Sequence, residues 1–245
     1  MPAHRTGLPG WGMRWQSRIK YLLDWFTPRP ISEMLHLSYD HLALQRLRPL
    51  LGDYLPWTGS ALRPAAIELI CNEIIVHQRR RVLECGSGIS TVVIGQLVSN
   101  LGGTLTSLED DPTWASFVGT LSARIGRAVK IVHSPLIDTP HGHWYDLRNL
   151  NTVLTNDQEK GFDLLIVDGP VASSSRLARY PALPLLRSKL ADDYAVVLDD
   201  VRRRAERLTV DAWVRQFSLS ERIYLNRAGV AILRPQSSKA YYNIA

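Results

Sequence analysis

Five short apolar runs recur between residues 81 and 200: RVLEC (81–85), TLTSLE (104–109), VKIVH (129–133), FDLLIVD (162–168) and YAVVLDD (194–200). Helical patterns stand between and around them. RPAAIELICNEIIVH (63–77) precedes the first run, and TVVIGQLVSNL (91–101) follows it and is closed by Gly102 and Gly103. PTWASFVGTLSARI (112–125) opens on proline, where a helix has no use for the missing N–H. Apolar strands alternating with helices need cover on both faces, which restricts the chain to a doubly wound, Rossmann-like α/β sheet of mostly parallel strands. RYPALPLLRSKL (179–190) and AERLTVDAWVRQF (205–217) supply later crossovers. ERIYLNRAGVAIL (221–233) reads as two strands around a tight turn at residues 226–229, so the last strand should run antiparallel. Residues 134–160, which include HGHWYDL (141–147), read as irregular.

Residues 1–60 differ from the rest and form a helical extension to a domain over 61–245. In WGMRWQSRIKYLLDWF (11–26) apolar residues recur at helical spacing among basic ones, and Pro28 and Pro30 end the pattern. Such a helix packs over the main domain, or allows peripheral contact with a membrane surface or a partner. HLALQRLRPLLGDYL (41–55) reads as a second helix. No apolar run approaches the roughly 18 residues that span a membrane. Two cysteines, Cys71 and Cys85, form no disulfide framework and suit a reducing cytoplasm. The net charge of +6 permits anionic partners, but no appended RNA-binding module accompanies it, which argues against nucleic acid.

In an open parallel sheet, ligands bind beyond the carboxyl ends of the strands. Those ends carry Glu84, Gly86, Ser87 and Gly88; Glu109, Asp110 and Asp111; His133 and Ser134; Asp168 and Gly169; Asp199 and Asp200. Glycine lets a backbone turn sharply and approach a ligand, and the helix behind it presents its N-terminal amides. Glu109 is placed to accept both hydroxyls of a ribose. This pattern serves a dinucleotide or S-adenosylmethionine. Thr91 stands where the dinucleotide fingerprint needs a small residue, and Glu84 would repel a pyrophosphate while attracting a sulfonium or an amino group.

VLECGSGIST, LTSLEDDP, FDLLIVDGP and AVVLDD resemble the successive motifs of the class I S-adenosylmethionine-dependent methyltransferases, in their small-molecule-type bacterial branch. The resemblance covers residues 61–235 and implies a seven-stranded sheet with an antiparallel last strand. It implies that Glu84 with the Gly86 and Gly88 backbone holds the methionine part of the cofactor. Glu109 then holds the ribose, and Asp110 with Ser134 flanks the adenine. Ser87, Thr91 and Asp168 complete the expected cofactor set.

The acceptor is less constrained. No Asn/Asp-Pro-Pro-aromatic loop and no Pro-Cys context is present, so base amino groups and cytosine C5 recede in favour of an oxygen, or else a nitrogen, of a small molecule. Asp168, Asp199 and Asp200 are similar to the divalent-metal ligands of catechol-type O-methyltransferases, which implies a Mg²⁺ site. Asp200 departs from that pattern, which usually has Asn, and Val171 stands where the family has lysine. Without a metal, Asp168 or His143 is the candidate base, with Asp200 as a third candidate catalytic residue. HGHWYDL is the candidate substrate lid, and the arginines of VRRRAER (201–207) form either a solvated face or an anion contact. Two alternatives stay open: an RNA methyltransferase, and a catalytically silent cofactor-binding protein acting through residues 11–26.

Overall fold

The computed structural model describes residues 29–154, 161–224 and 229–238. The amphipathic pattern over 11–26 and the tip of the closing hairpin, residues 225–228, lie outside the described residues. Helix α1 (Arg29–Leu51) carries Pro30 in its first turn, where a helix tolerates proline. Helix α2 (Pro64–Val76) leads into β1 (Arg81–Cys85), and α3 (Ile89–Asn100) into β2 (Thr104–Glu109). Helix α4 (Pro112–Ser122) and a 3₁₀ turn lead into β3 (Val129–His133). After the hairpin β4 (Leu136–Thr139) and β5 (Gly142–Tyr145) come α5 (Arg148–Val153) and β6 (Phe162–Val167). The chain closes with α6 (Ala182–Leu186), β7 (Leu190–Leu198), α7 (Arg204–Gln216), β8 (Leu219–Tyr224) and β9 (Val230–Pro235).

Seven of these strands form one sheet in the order β3-β2-β1-β6-β7-β9-β8. β9 runs antiparallel to both β7 and β8, as the hairpin pattern requires, and the pairs from β3 to β7 are parallel. Side chains alternate along each strand, so successive residues enter opposite cores. Val82, Leu164, Ile166 and Val197 pack under α2 and α3, while Leu83, Leu165, Val196 and Leu198 pack with Trp144 and Trp213 on the other face. Leu47 of α1 and Leu55 join the first core.

The segment 134–160 is not simply irregular. Leu136 pairs with Tyr145 and Ile137 with Trp144 in the small antiparallel sheet, and α5 follows. Its regularity comes from burial: Trp144 and Tyr145 are almost wholly enclosed in the second core, and those contacts hold a hairpin too short to stand alone.

Register positions the site. Cys85 lies level with Leu108 and with Val167, Glu109 level with His133, and Val167 level with Leu198. The turns after β1, β2, β6 and β7 therefore open at one level, around one crevice.

Candidate active site

The crevice encloses about 880 Å³ beyond the carboxyl ends of β1, β2, β6 and β7. Gly86, Ser87, Gly88, Glu109, Asp110, Asp168, Asp199 and Asp200 all line it. Glu84, Thr91, Ser134 and His143 do not.

The glycine turn is built from both sides. Gly86 sits at φ +91, and its N–H donates to the Leu108 carbonyl at 2.9 Å. A Cβ there would lie 2.9 Å from the Gly169 nitrogen, so the turns after β1 and β6 touch backbone to backbone. Ser87 donates through both N and Oγ to Glu109 Oε2, at 2.9 and 2.8 Å, and Asp111 N donates to Oε1 at 3.1 Å. Trp114 Nε1 donates to the Ser87 carbonyl at 2.8 Å, which adds an indole to the wall. Burial raises the pKa of the neighbouring Asp110 carboxyl.

Glu84 departs from the role implied for it. It is fully buried, and its two oxygens accept the hydroxyls of Ser90 at 2.6 Å and Thr91 at 2.5 Å. Burial raises its pKa, against the lowering effect of those two hydroxyls. Thr91 Oγ1 also accepts from Gly88 N at 2.9 Å. Hydroxyls from the first turn of α3 thus reach the carboxylate before any ligand in the crevice can. Glu84 and Thr91 brace the turn from behind. Ser134 is likewise buried, and its N–H donates to the Glu109 carbonyl at 2.7 Å.

His143 is also placed elsewhere. In β5 it alternates with the inward Trp144, which turns it outward, where Nδ1 pairs with the cross-strand Asp138 Oδ1 at 3.0 Å. Within HGHWYDL, Gly142–Tyr145 forms a hairpin strand with Trp144 and Tyr145 buried, and of this segment Tyr145 lines the crevice.

The opposite wall holds a feature that sequence reasoning missed. Arg179 is 4% exposed and inserts among the three aspartates. Its Nη2 donates to the Asp168 carbonyl at 2.6 Å and contacts Asp168 Oδ1 at 3.1 Å and Asp200 Oδ2 at 3.0 Å. Its Nη1 donates to the Asp199 carbonyl at 3.1 Å. Arg203 Nη1 closes on Asp200 Oδ2 at 2.7 Å. The carboxylate oxygens of the three aspartates lie within 4.8 Å of one another, close enough for ligands of one ion, but with a guanidinium between two of them. Burial raises the Asp168 pKa to about 7, with Arg179 opposing and Asp200 reinforcing the rise. Only the position of Arg179 in SSSRLARYP (173–181), beside the crevice, hinted at it.

Residues 83–201 match the model of a family described as a methyltransferase domain. These residues form an S-adenosylmethionine-dependent methyltransferase domain. No curated protein sequence matches it. Among solved structures, the methyltransferase is similar to an SAH-bound methyltransferase of Podospora anserina (13% identity, TM-score 0.53, covering 96% of this chain and 100% of the other). It is also similar to an O-methyltransferase of Bacillus cereus in complex with SAH (13%, 0.55, 89% and 96%). A third is the O-methyltransferase TomG of Streptomyces achromogenes in complex with SAM (15%, 0.54, 82% and 89%). At these identities the likeness is one of fold. The crevice lies at the switch point of the sheet, between β1 and β6.

Proposed function

We propose that this methyltransferase transfers the methyl group of S-adenosylmethionine to an oxygen of a small-molecule acceptor, with Asp168 as the base. The observation that carries this reading is the contact between the two turns at Gly86 and Gly169. It brings the backbone of Asp168 and Gly169 against the glycine turn expected to hold the methionine part of the cofactor, and Asp168 lines the same crevice. Glu109 then takes the ribose, exchanging its bond from Ser87 Oγ for ribose hydroxyls, and Asp110 with Trp114 borders the adenine.

The acceptor enters over Asp168 and Asp200. Its hydroxyl proton passes to Asp168, and the freed oxygen attacks the methyl carbon in line with the departing sulfur. The carbon–sulfur bond breaks, the electron pair stays on sulfur, and S-adenosylhomocysteine leaves. Most of the rate gain comes from holding oxygen, methyl and sulfur in line. Proton removal is the second contribution, and a carboxyl titrating near neutral pH suits it. Arg179 already engages two of the three carboxylates, and the proton transfer to Asp168 needs no Mg²⁺.

The Bacillus cereus and Streptomyces achromogenes proteins of like fold are O-methyltransferases, which supports oxygen over nitrogen. The end of the N-terminal extension then contributes to the site, since Pro56, Thr58, Gly59 and Ser60 line the crevice. Among the described residues no helix is long and apolar enough to cross a membrane.

Calorimetry with S-adenosylmethionine, S-adenosylhomocysteine and NAD tests the cofactor. Binding of the first two and not of NAD is expected. Transfer of labelled methyl to a panel of phenols, catechols and amines tests the acceptor, and labelling of amines alone would overturn the choice of oxygen.

A further inference from the structure

We propose that the Arg179 guanidinium takes the place of a divalent cation at the Asp168–Asp199–Asp200 cluster, so that this site is built to exclude a metal. The catalytic half of this statement rests on the methyl-transfer reading. The cation-binding half rests on geometry alone.

An octahedral Mg²⁺ holds oxygens at about 2.1 Å, so its ligands stand at most about 4.2 Å apart. The aspartate oxygens, within 4.8 Å of one another, are near that spacing, and by themselves they would invite an ion. Arg179 Nη2 instead contacts Asp168 Oδ1 and Asp200 Oδ2 at 3.1 and 3.0 Å, so one cationic nitrogen bridges the same two ligands. An ion binding those oxygens would have to displace the guanidinium or lie against it.

Displacement is opposed by two bonds that do not involve the carboxylates. Nη2 donates to the Asp168 carbonyl at 2.6 Å and Nη1 to the Asp199 carbonyl at 3.1 Å. These carbonyls follow β6 and β7, adjacent strands of the sheet, and they clamp the arginine plane whether or not the side-chain carboxylates let go. The side chain is also almost completely enclosed, at 4% exposure, so displacing it means moving a buried charge away from its carboxylate partners. Arg203 supplies a second positive charge on Asp200 Oδ2, at 2.7 Å. Two arginines therefore face the cluster. The fixed guanidinium does what a metal would do for the protein: it holds two like-charged carboxylates side by side at the acceptor end of the crevice. Arg179 is a positioning residue, acting through Asp168 and Asp200.

The test uses the purified full chain and Mn²⁺, whose free-ion paramagnetic resonance signal falls when the ion is bound. Wild type is expected to leave that signal unchanged. Arg179→Met, which keeps an unbranched apolar stem and removes the charged guanidinium, is expected to bind Mn²⁺ at least about tenfold more tightly. Asp200→Asn added to it should abolish that gain. Mn²⁺ retention by wild type that disappears in Asp200→Asn would overturn the proposal, and this comparison decides even where Arg179→Met does not fold. A folded Arg179→Met that gains no affinity would overturn it as well. Failure of the chain to bind S-adenosylmethionine would defeat the cofactor reading and leave the Mn²⁺ result standing.

Discussion

Ser87 and Glu109 are bonded twice across the crevice, with Ser87 N and Oγ both reaching Glu109 Oε2, at 2.9 and 2.8 Å. The carboxylate is thereby aimed and half satisfied before any ligand arrives. A ribose can take the place of the Ser87 hydroxyl while the backbone N–H keeps the carboxylate oriented. Hydrogen bonds to a charged group are worth about 1.5–3 kcal/mol each. Glu109→Ala should therefore weaken S-adenosylmethionine binding by about 10- to 100-fold. Ser87→Ala, which leaves the backbone donor in place, should change it by less than about threefold. Calorimetry on the two variants checks the ordering, and equal losses would remove Glu109 as the ribose ligand.

Gly86→Ala should damage fold and cofactor site together. The residue sits at φ +91, which an L side chain rarely adopts, and its new Cβ would press on the Gly169 backbone at 2.9 and 3.0 Å. Backbone cannot give way as a flexible side chain can, so the loss should be about 1–3 kcal/mol or more. Urea denaturation should show the lower midpoint, and calorimetry the lost cofactor binding. Gly88, in extended backbone with nothing close to its Cβ position, should tolerate alanine far better.

The sheet was legible because its signal is periodic. Apolar runs bounded by glycine and proline can only be buried strands when helices flank them, and the hairpin after α7 gave the antiparallel β9. The crevice was legible too, since parallel strands must place Glu109, Asp168, Asp199 and Asp200 at one end of the sheet. What failed was orientation. Glu84 looked like a charge for a ligand because the hydroxyls of Ser90 and Thr91, which claim it, become neighbours only once α3 forms. His143 looked catalytic because its loop seemed irregular, whereas the burial of Trp144 makes that loop a strand and sends the histidine outward. Arg179 left no sign beyond its place in a segment that follows β6 at the rim of the crevice. Its partners are 11 to 21 residues downstream or upstream, and two of its bonds are to backbone carbonyls, which no residue type announces.

Thr91→Val should separate a brace from a ligand contact. The substitution keeps the branched shape, but it strands the Gly88 N–H and one oxygen of the buried Glu84. Leaving a buried polar group without its partner costs about 1–3 kcal/mol. The melting temperature should fall clearly, and cofactor affinity should weaken through the misplaced turn. Thr91→Ser, which restores the hydroxyl, should recover most of both. Full affinity in a destabilised Thr91→Val would show that the turn does not depend on this brace.

Asp168 should write its ionisation into both stability and rate. Burial raises its pKa from 3.8 to about 7, with Arg179 pulling the other way and Asp200 adding to the rise. A carboxyl harder to ionise in the fold than in the unfolded chain contributes most below its unfolded pKa, where both states carry the proton. That contribution is lost as pH rises through the folded value, so the window runs from about pH 4 to about pH 7. Asp168→Asn stays neutral throughout, so its stability relative to wild type should climb across that window and then level off. Urea midpoints at intervals through it measure the trend. For turnover the sign reverses, because a base must be ionised to accept a proton. The wild-type kcat/KM should therefore rise with pH and reach a plateau above about 7, a limb that belongs to the coupled carboxylates as a group. Asp168→Asn should lower kcat/KM by about 10²- to 10⁴-fold and flatten the limb. A variant that keeps the wild-type profile would remove Asp168 as the base.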